Sequence, residues 1–153
     1  MEYDFAKSKG IQLEKKIPEG TEVYGDPGMI FNIIKSVVNN GIEYTAHGGK
    51  IEIGMSESVR EGYRTIYIKD NGMGMSQEKI DYIFRPESKL IDSTGSNNER
   101  GGGLGLVLTK EFIDKNGGEI TVESTLDVGS EFRIALPEAP PEILEEEVKE
   151  NSL

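Results

Sequence analysis

The sequence predicts one α/β domain in which long amphipathic helices alternate with β-hairpins. Three observations carry this. First, Ile30, Ile33, Ile34, Val37, Val38 and Ile42 recur at spacings of three and four, the stripe of a helix with one buried face. Second, residues 50–56 and 63–69 alternate apolar with polar, and 119–125 and 130–136 form a further pair. Third, two glycine clusters stand at junctions between elements rather than inside them. A length of 153 residues, 35% of them hydrophobic, suits one domain with a real core.

Taken in order, residues 1–8 are a lead-in with little pattern. Ile11, Leu13 and Ile17 mark a short strand, and Thr21 to Tyr24 a second. Asp26-Pro27 starts the first helix, because Asp caps and Pro is tolerated at the first helical position. The stripe runs to about Thr45, and Gly48-Gly49 stops it. The first hairpin turns at Arg60-Glu61-Gly62, and its second strand breaks at Asp70-Asn71-Gly72-Met73-Gly74. Ser76 caps a short helix reaching Phe84 with Ile80 and Ile83 or Phe84 inward. Residues 85–103 carry no period, and so long a connection inside a compact domain is usually functional. Leu104 to Lys115 forms the next amphipathic helix, closed by Asn116-Gly117-Gly118 in a left-handed cap. The domain is expected to span 9–137. Residues 138–153, with six Glu and one Lys, form an acidic and disordered tail.

Composition removes several function classes. Lys and Arg number 17 against 28 Asp and Glu, for a net charge of −11. Such a surface repels nucleic acid and anionic lipid, so neither is an expected partner. No Cys is present, which excludes disulfides and thiolate metal sites and fits a reducing compartment. No apolar run approaches the roughly 18 residues that a bilayer span needs, and Met1-Glu2-Tyr3-Asp4 does not read as a signal peptide. The single His, His47, limits triad chemistry to that one residue.

The informative chemistry lies in the junctions. Gly101-Gly102-Gly103-Leu104-Gly105-Leu106 opens a helix and has the parts of an anion site: close backbone approach and free N–H groups. A tight turn is the plainer alternative. Asp70 ends a strand just before Gly72 and Gly74, placing a carboxylate where backbone can lie against a flat ligand; a β-turn opened by Asp is the alternative. Asn32, Ser36, Asn40 and Tyr44 follow one another at spacings of four on the first helix. Asn is a middling helix former, and an amide oxygen suits Mg²⁺, although a solvated polar face would look the same.

The order of these parts resembles the nucleotide-binding domain of sensor histidine kinases, within a superfamily that includes gyrase, mismatch-repair ATPases and the ninety-kilodalton heat-shock chaperone. Val38-Asn39-Asn40-Gly41-Ile42-Glu43-Tyr44-Thr45 is similar to the N box, and Asp70-Asn71-Gly72-Met73-Gly74-Met75 to the first glycine box. Ile83-Phe84-Arg85-Pro86 resembles the F box, and 101–106 the second glycine box. The stretches 116–124 and 129–132 are similar to the closing strands. The resemblance implies a two-layer α/β sandwich of the Bergerat type, a mixed sheet with helices on one face, and a flexible ATP lid at Glu87 to Asn98. It implies that Asn40 holds Mg²⁺ between the phosphates, Tyr44 lines the pocket, and Asp70 takes the adenine amino group beside Gly72 and Gly74. It further implies that Gly101, Gly103 and Gly105, with Leu104 and Leu106, contact the phosphates and shape the lid hinge. Arg85 and Lys89 flank the lid, and Ser130 is expected to support Asp70 through water.

Two positions depart from the common kinase pattern. Ser36 stands where many kinases carry Asn and where self-contained ATPases carry a Glu base. Serine cannot activate water at neutral pH, which disfavours autonomous hydrolysis. Glu43 stands where many carry a phosphate-binding Lys. The resemblance therefore implies the catalytic domain of a two-component kinase that binds ATP and Mg²⁺ and phosphorylates a histidine. His47 precedes Gly48-Gly49 in a turn, so the acceptor belongs to a separate dimerisation and phosphoacceptor domain, and the isolated chain does not phosphorylate itself. A downstream response regulator, a monomeric isolated domain, a homodimeric parent and a cytoplasmic location, with the parent either free or membrane-anchored, complete the expectation. The alternatives are a degenerate binding module and an autonomous gyrase-like or chaperone-like ATPase.

Overall fold

A computed structural model describes residues 7, 9–58, 60–85 and 102–140. The elements follow one another as strand β1 (Gln12–Lys16), helix α1 (Pro27–Tyr44), β2 (Lys50–Ser56), β3 (Tyr63–Asp70), α2 (Gln77–Tyr82), α3 (Gly102–Lys115), β4 (Glu119–Thr125) and β5 (Gly129–Pro137). The five strands form one mixed sheet in the order β1-β2-β3-β5-β4. Only β1 and β2 run parallel; the remaining pairs are antiparallel.

Alternation decides which face is covered. Ile53, Ile68, Phe132 and Val122 stand opposite one another across four strands, and α1 and α3 pack against that side. Ile33, Ile42, Ile51, Ile68, Ile113, Phe132, Ile134 and Leu136 are fully buried there. The opposite face is charged: Lys50 lies 2.5 Å from Glu14, Lys16 lies 3.1 Å from Glu52, and Arg133 lies 2.5 Å from Glu131. Tyr67 Oη donates to Glu52 at 2.6 Å, which holds that carboxyl below its ordinary pKa and raises the phenol. These groups are solvated, so they keep the face wet more than they add stability.

The α1 boundaries follow from local chemistry. Asp26 accepts from the Met29 N–H at 2.9 Å, Pro27 occupies the first turn, and Thr45 is already extended, ahead of Gly48-Gly49. Lys9 Nζ donates to the Ile42 and Glu43 carbonyls at 2.8 and 3.3 Å, satisfying acceptors that the end of a helix leaves free. Asn116 ties the far end of the layer: its Oδ1 accepts from the Asp26 N–H at 2.8 Å and its Nδ2 donates to Phe112 O at 2.7 Å. Gly117 has φ +70, as expected of a left-handed cap.

Thr21 to Tyr24, expected as a strand, is not one. Thr21 turns back so that both its N–H and its Oγ1 donate to Pro18 O, at 3.3 and 2.7 Å. Of this stretch, Tyr24 N–H bonds β5, at Pro137 O (2.7 Å), and no ladder forms. α2 also stops at Tyr82, short of Phe84, and α3 starts at Gly102, two residues before Leu104. Residues 87–98, expected as a lid, and 141–153 of the acidic tail lie outside the described residues.

Phe132 is 1% exposed at the centre of the inner face. Phe132→Ala is expected to lower unfolding stability by about 3–5 kcal/mol in urea titration, the range for a buried aromatic left as a cavity.

Candidate functional site

The last residue of β3 is the centre of the site. Asp70 continues the inward alternation of Ile66 and Ile68, so its side chain turns toward the helical layer, where it is 7% exposed. It stands opposite Ile51 on one side and Ser130 on the other. Two backbone donors meet one of its oxygens: Gly72 N–H at 2.9 Å and Ser130 N–H at 3.3 Å both end on Oδ1. Oδ2 faces α1, only 3.6 Å from where a Cβ on Gly41 would stand. Desolvation pushes the Asp70 carboxyl above its ordinary pKa, and the two N–H groups offset part of that rise.

The loop after Asp70 is fixed from both sides. Met73 N–H donates to Tyr44 O at 3.1 Å, joining the loop to the end of α1. Asp127 N–H donates to Met73 O at 2.8 Å, and Met75 N–H to Ser124 Oγ at 2.7 Å, joining it to the β4–β5 turn. Gly74 has φ +70, and a Cβ there would overlap the Thr125 carbonyl. A Cβ on Gly72 would run into Tyr44 O and come within 2.9 Å of Asp70 Oδ1. Both glycines are therefore demanded by close backbone packing. A cleft of about 470 Å³ opens beside this loop, its wall including Tyr44, Thr45, Gly72 and Met73.

The structure brings Tyr44, Asp70, Gly72, Gly74 and Ser130 together where the end of α1 meets β3 and the β4–β5 turn, and Asn40 lies one turn before Tyr44 on α1. Asn40 is 7% exposed, and its amide enters no hydrogen bond among the described residues. Ser130 donates its backbone N–H to Asp70 Oδ1 at 3.3 Å, while its Oγ lies 2.7 Å from Ser124 Oγ. Leu106 is 1% exposed and belongs to the core. Gly103, Leu104 and Gly105 fall in the first turn of α3, and Arg85 is exposed beyond α2. Lys89 and Gly101 lie outside the described residues.

Two neighbours escaped the sequence reading. Lys79 on α2 holds its ammonium 4.3 Å from the centroid of the Tyr44 ring, a cation–π contact across 35 residues that no local spacing announces. Thr45, which follows the apolar stripe, is 1% exposed with a hydroxyl that lacks a hydrogen-bond partner. A small polar residue closing the N-box-like segment was the available signal. Among the described residues, no three His, Cys, Asp or Glu side chains gather to hold a metal. Among those residues too, no helix is long and apolar enough to cross a membrane.

The family described as Histidine kinase-, DNA gyrase B-, and HSP90-like ATPase matches residues 25–140. The chain belongs to this family. Among curated relatives of this ATPase-family chain, sensor histidine kinase GacS of Pseudomonas protegens is 35% identical over 135 residues, covering 86% of the chain and 15% of that protein. Histidine protein kinase DivJ of Caulobacter vibrioides is 31% identical over 129 residues, covering 84% and 21%. The chain thus spans a small part of these relatives. The catalytic domain of histidine kinase ThkA aligns with a TM-score of 0.71 at 23% identity, over 89% of this chain and 84% of that one. Full-length ShkA in complex with AMPPNP aligns with a TM-score of 0.72 at 23% identity, over 89% and 27%. At such identity the structures establish the fold.

Burial of Asp70 has a measurable sign. An acid whose pKa is raised by folding lowers stability as pH rises from its unfolded value, about 3.9, through the folded one. Asp70→Asn is expected to melt at a higher temperature than the parent at pH 7, and the gap is expected to close on acidification below pH of about 4. A lower melting temperature for the variant at pH 7 would show that the N–H bonds outweigh desolvation.

Proposed function

We propose that the chain is the ATP-binding catalytic domain of a two-component sensor histidine kinase. It binds MgATP and delivers the γ-phosphoryl group to a histidine on a separate dimerisation and phosphoacceptor domain. The observation that carries this is the buried Asp70 carboxylate, with Oδ1 engaged by two backbone N–H groups and Oδ2 left toward the amide-bearing helix. The relatives, a sensor histidine kinase and a histidine protein kinase by name, point the same way.

The residues present suit the ligand. A carboxylate accepts from the amino group of adenine, whereas guanine offers a carbonyl oxygen at the same position and two acceptors would oppose each other. Gly72 and Gly74 let the loop that would border the base pack closely on Tyr44 and Thr125. Tyr44 lines the pocket, and Lys79 brings a positive charge to it, which matters because Glu43 places an acid where a phosphate-binding cation is common. Asn40 carries an amide that enters no hydrogen bond among the described residues and suits Mg²⁺, with water and phosphate oxygens as the remaining ligands. The metal would neutralise charge developing on the transferred group. By the resemblance, the first turn of α3, Gly103 to Gly105, would meet the phosphates, with Arg85 on the same side.

Ser36 is half-buried on α1 and supplies no general base, so the domain positions ATP and awaits a nucleophile. His47 is exposed in the turn after α1, remote in role from a helix-borne acceptor, so the isolated domain does not phosphorylate itself. The catalytic unit spans 9–137, and a response regulator accepts the phosphoryl group downstream of a homodimeric parent.

Calorimetry with Mg²⁺ present tests the base assignment. A hydrogen bond to a charged group contributes roughly 1.5–3 kcal/mol, so ATP is expected to bind about 10- to 150-fold more tightly than GTP, and Asp70→Asn to lose the preference. Mixing the domain and labelled ATP with a helical-hairpin acceptor domain tests the transfer: label on the acceptor histidine is expected, and steady phosphate release with no acceptor would favour an autonomous ATPase. A parent chain that binds neither nucleotide would favour a degenerate module.

A further inference from the structure

The ammonium of Lys79 stands at the end of α1 with no anion to hold it. Lys79 lies on α2, and its backbone is fixed from both sides. Its N–H donates to Ser76 Oγ at 3.3 Å, and its carbonyl accepts from Ile83 N–H at 3.0 Å. Met75 and Ile83, on either side of this turn, are buried, and Met75 N–H is tied to Ser124 Oγ at 2.7 Å. The core thus sets where the stem of Lys79 begins. Its charged end rests 4.3 Å from the centroid of the Tyr44 ring, and among the described residues it forms no ion pair.

The place it reaches is short of positive charge. Asn40, Glu43 and Tyr44 follow one another at spacings of three and four, so they share one face of α1. Position 43 turns an acid to that face. Lys9, also at this end of the helix, is committed elsewhere, since its Nζ donates to the Ile42 and Glu43 carbonyls at 2.8 and 3.3 Å. Lys79 comes to the same face from a different element. An aromatic ring holds an exposed ammonium only weakly, whereas bonds from an ammonium to phosphate are charge-assisted and much stronger than neutral ones. Three donors on a flexible stem let the lysine exchange one for the other without moving the backbone. Asn40 lies one helical turn, about 5.4 Å, beyond Tyr44.

We propose that Lys79 is a phosphate-binding residue: it delivers from α2 the positive charge that Glu43 withholds on α1, and the Tyr44 ring keeps its ammonium at that face. The inference rests on the proposed MgATP site and adds to it a residue that reads the triphosphate and not the base. Positions 43 and 79 are then interchangeable in charge, because the site needs a cation at one of them and accepts it at either.

The test measures ATP and adenosine binding to the whole chain by NMR titration with Mg²⁺ present. Lys79→Met keeps the stem and removes the charge. It is expected to weaken ATP about tenfold, the low end for a bond to a charged group because the lysine is exposed, and to leave adenosine unchanged. Lys79→Arg is expected to stay close to the parent, and Glu43→Lys added to Lys79→Met to restore ATP binding. Salt is expected to erode ATP affinity more steeply in the parent than in Lys79→Met. Equal weakening of ATP and adenosine would assign Lys79 to Tyr44 and the base, and ATP affinity unmoved by Lys79→Met would leave the phosphates to other groups. A double variant that stays weak would show that the two positions do not exchange. Each of these three results overturns the proposal. Failure of the parent to bind either ligand would instead remove the MgATP site itself.

Discussion

A negatively charged side chain taken out of water must be compensated where it stands, and Asp70 sets this condition for the whole site. Its compensation comes from backbone, not from a cation. The loop that follows supplies the Gly72 N–H, and β5 supplies the Ser130 N–H. Both donors exist only if β3 and β5 keep their register and the loop keeps its tight course, so the sheet and the glycines are arranged around one carboxylate. Because both bonds converge on Oδ1, the residue is anchored through one oxygen and presents the other.

The same arrangement explains why a protein carrying −11 overall can hold an anion-binding reaction on an acidic domain. Acids reach the cleft too, since Glu43 and Asp127 stand in its wall, but Lys9 lines it with them and Lys79 from α2 stands over the Tyr44 ring at the end of α1. Tyr44 O holds the loop that follows an acid which burial already discourages from ionising. Stability and function pull in opposite directions here, as is usual where a charge is kept buried for use. A neutral side chain would suit the fold better and, under the proposed function, the base worse.

Much of this was legible in the chain. The extent of α1 followed from Asp26-Pro27 and a stripe at three and four, and both caps are in place. The hairpins followed from alternation, and Asp70 stood out as a strand end before glycines. What escaped depends on contacts between distant segments. Thr21 to Tyr24 has strand-like residues, yet Pro18 and Gly20 bend the chain away from any neighbour it might pair with. The bond from Ser130 N–H to Asp70 was not visible either, because it is created by pairing β3 with β5. The sheet order also lay beyond local pattern, since alternation tells which residues share a face and says nothing about which strand is next. Lys79 and Thr45 became visible only when α2 and the glycine loop were placed against the end of α1.

The strand order has a kinetic consequence. Asp70 and Ser130, which close the carboxylate's surroundings, are 60 residues apart in the chain. The central pair of the sheet is thus made by a long-range closure, and such closures are slow because the entropy of the intervening loop is lost before contacts reward it. A nascent chain that has released β2 and β3 from the ribosome has an uncompensated acid at the end of a hairpin and no pocket. Only when β5 emerges and docks does the acid gain its second backbone donor. Acquisition of the pocket and completion of the sheet are one event, so a half-made domain has nothing with which to sequester nucleotide.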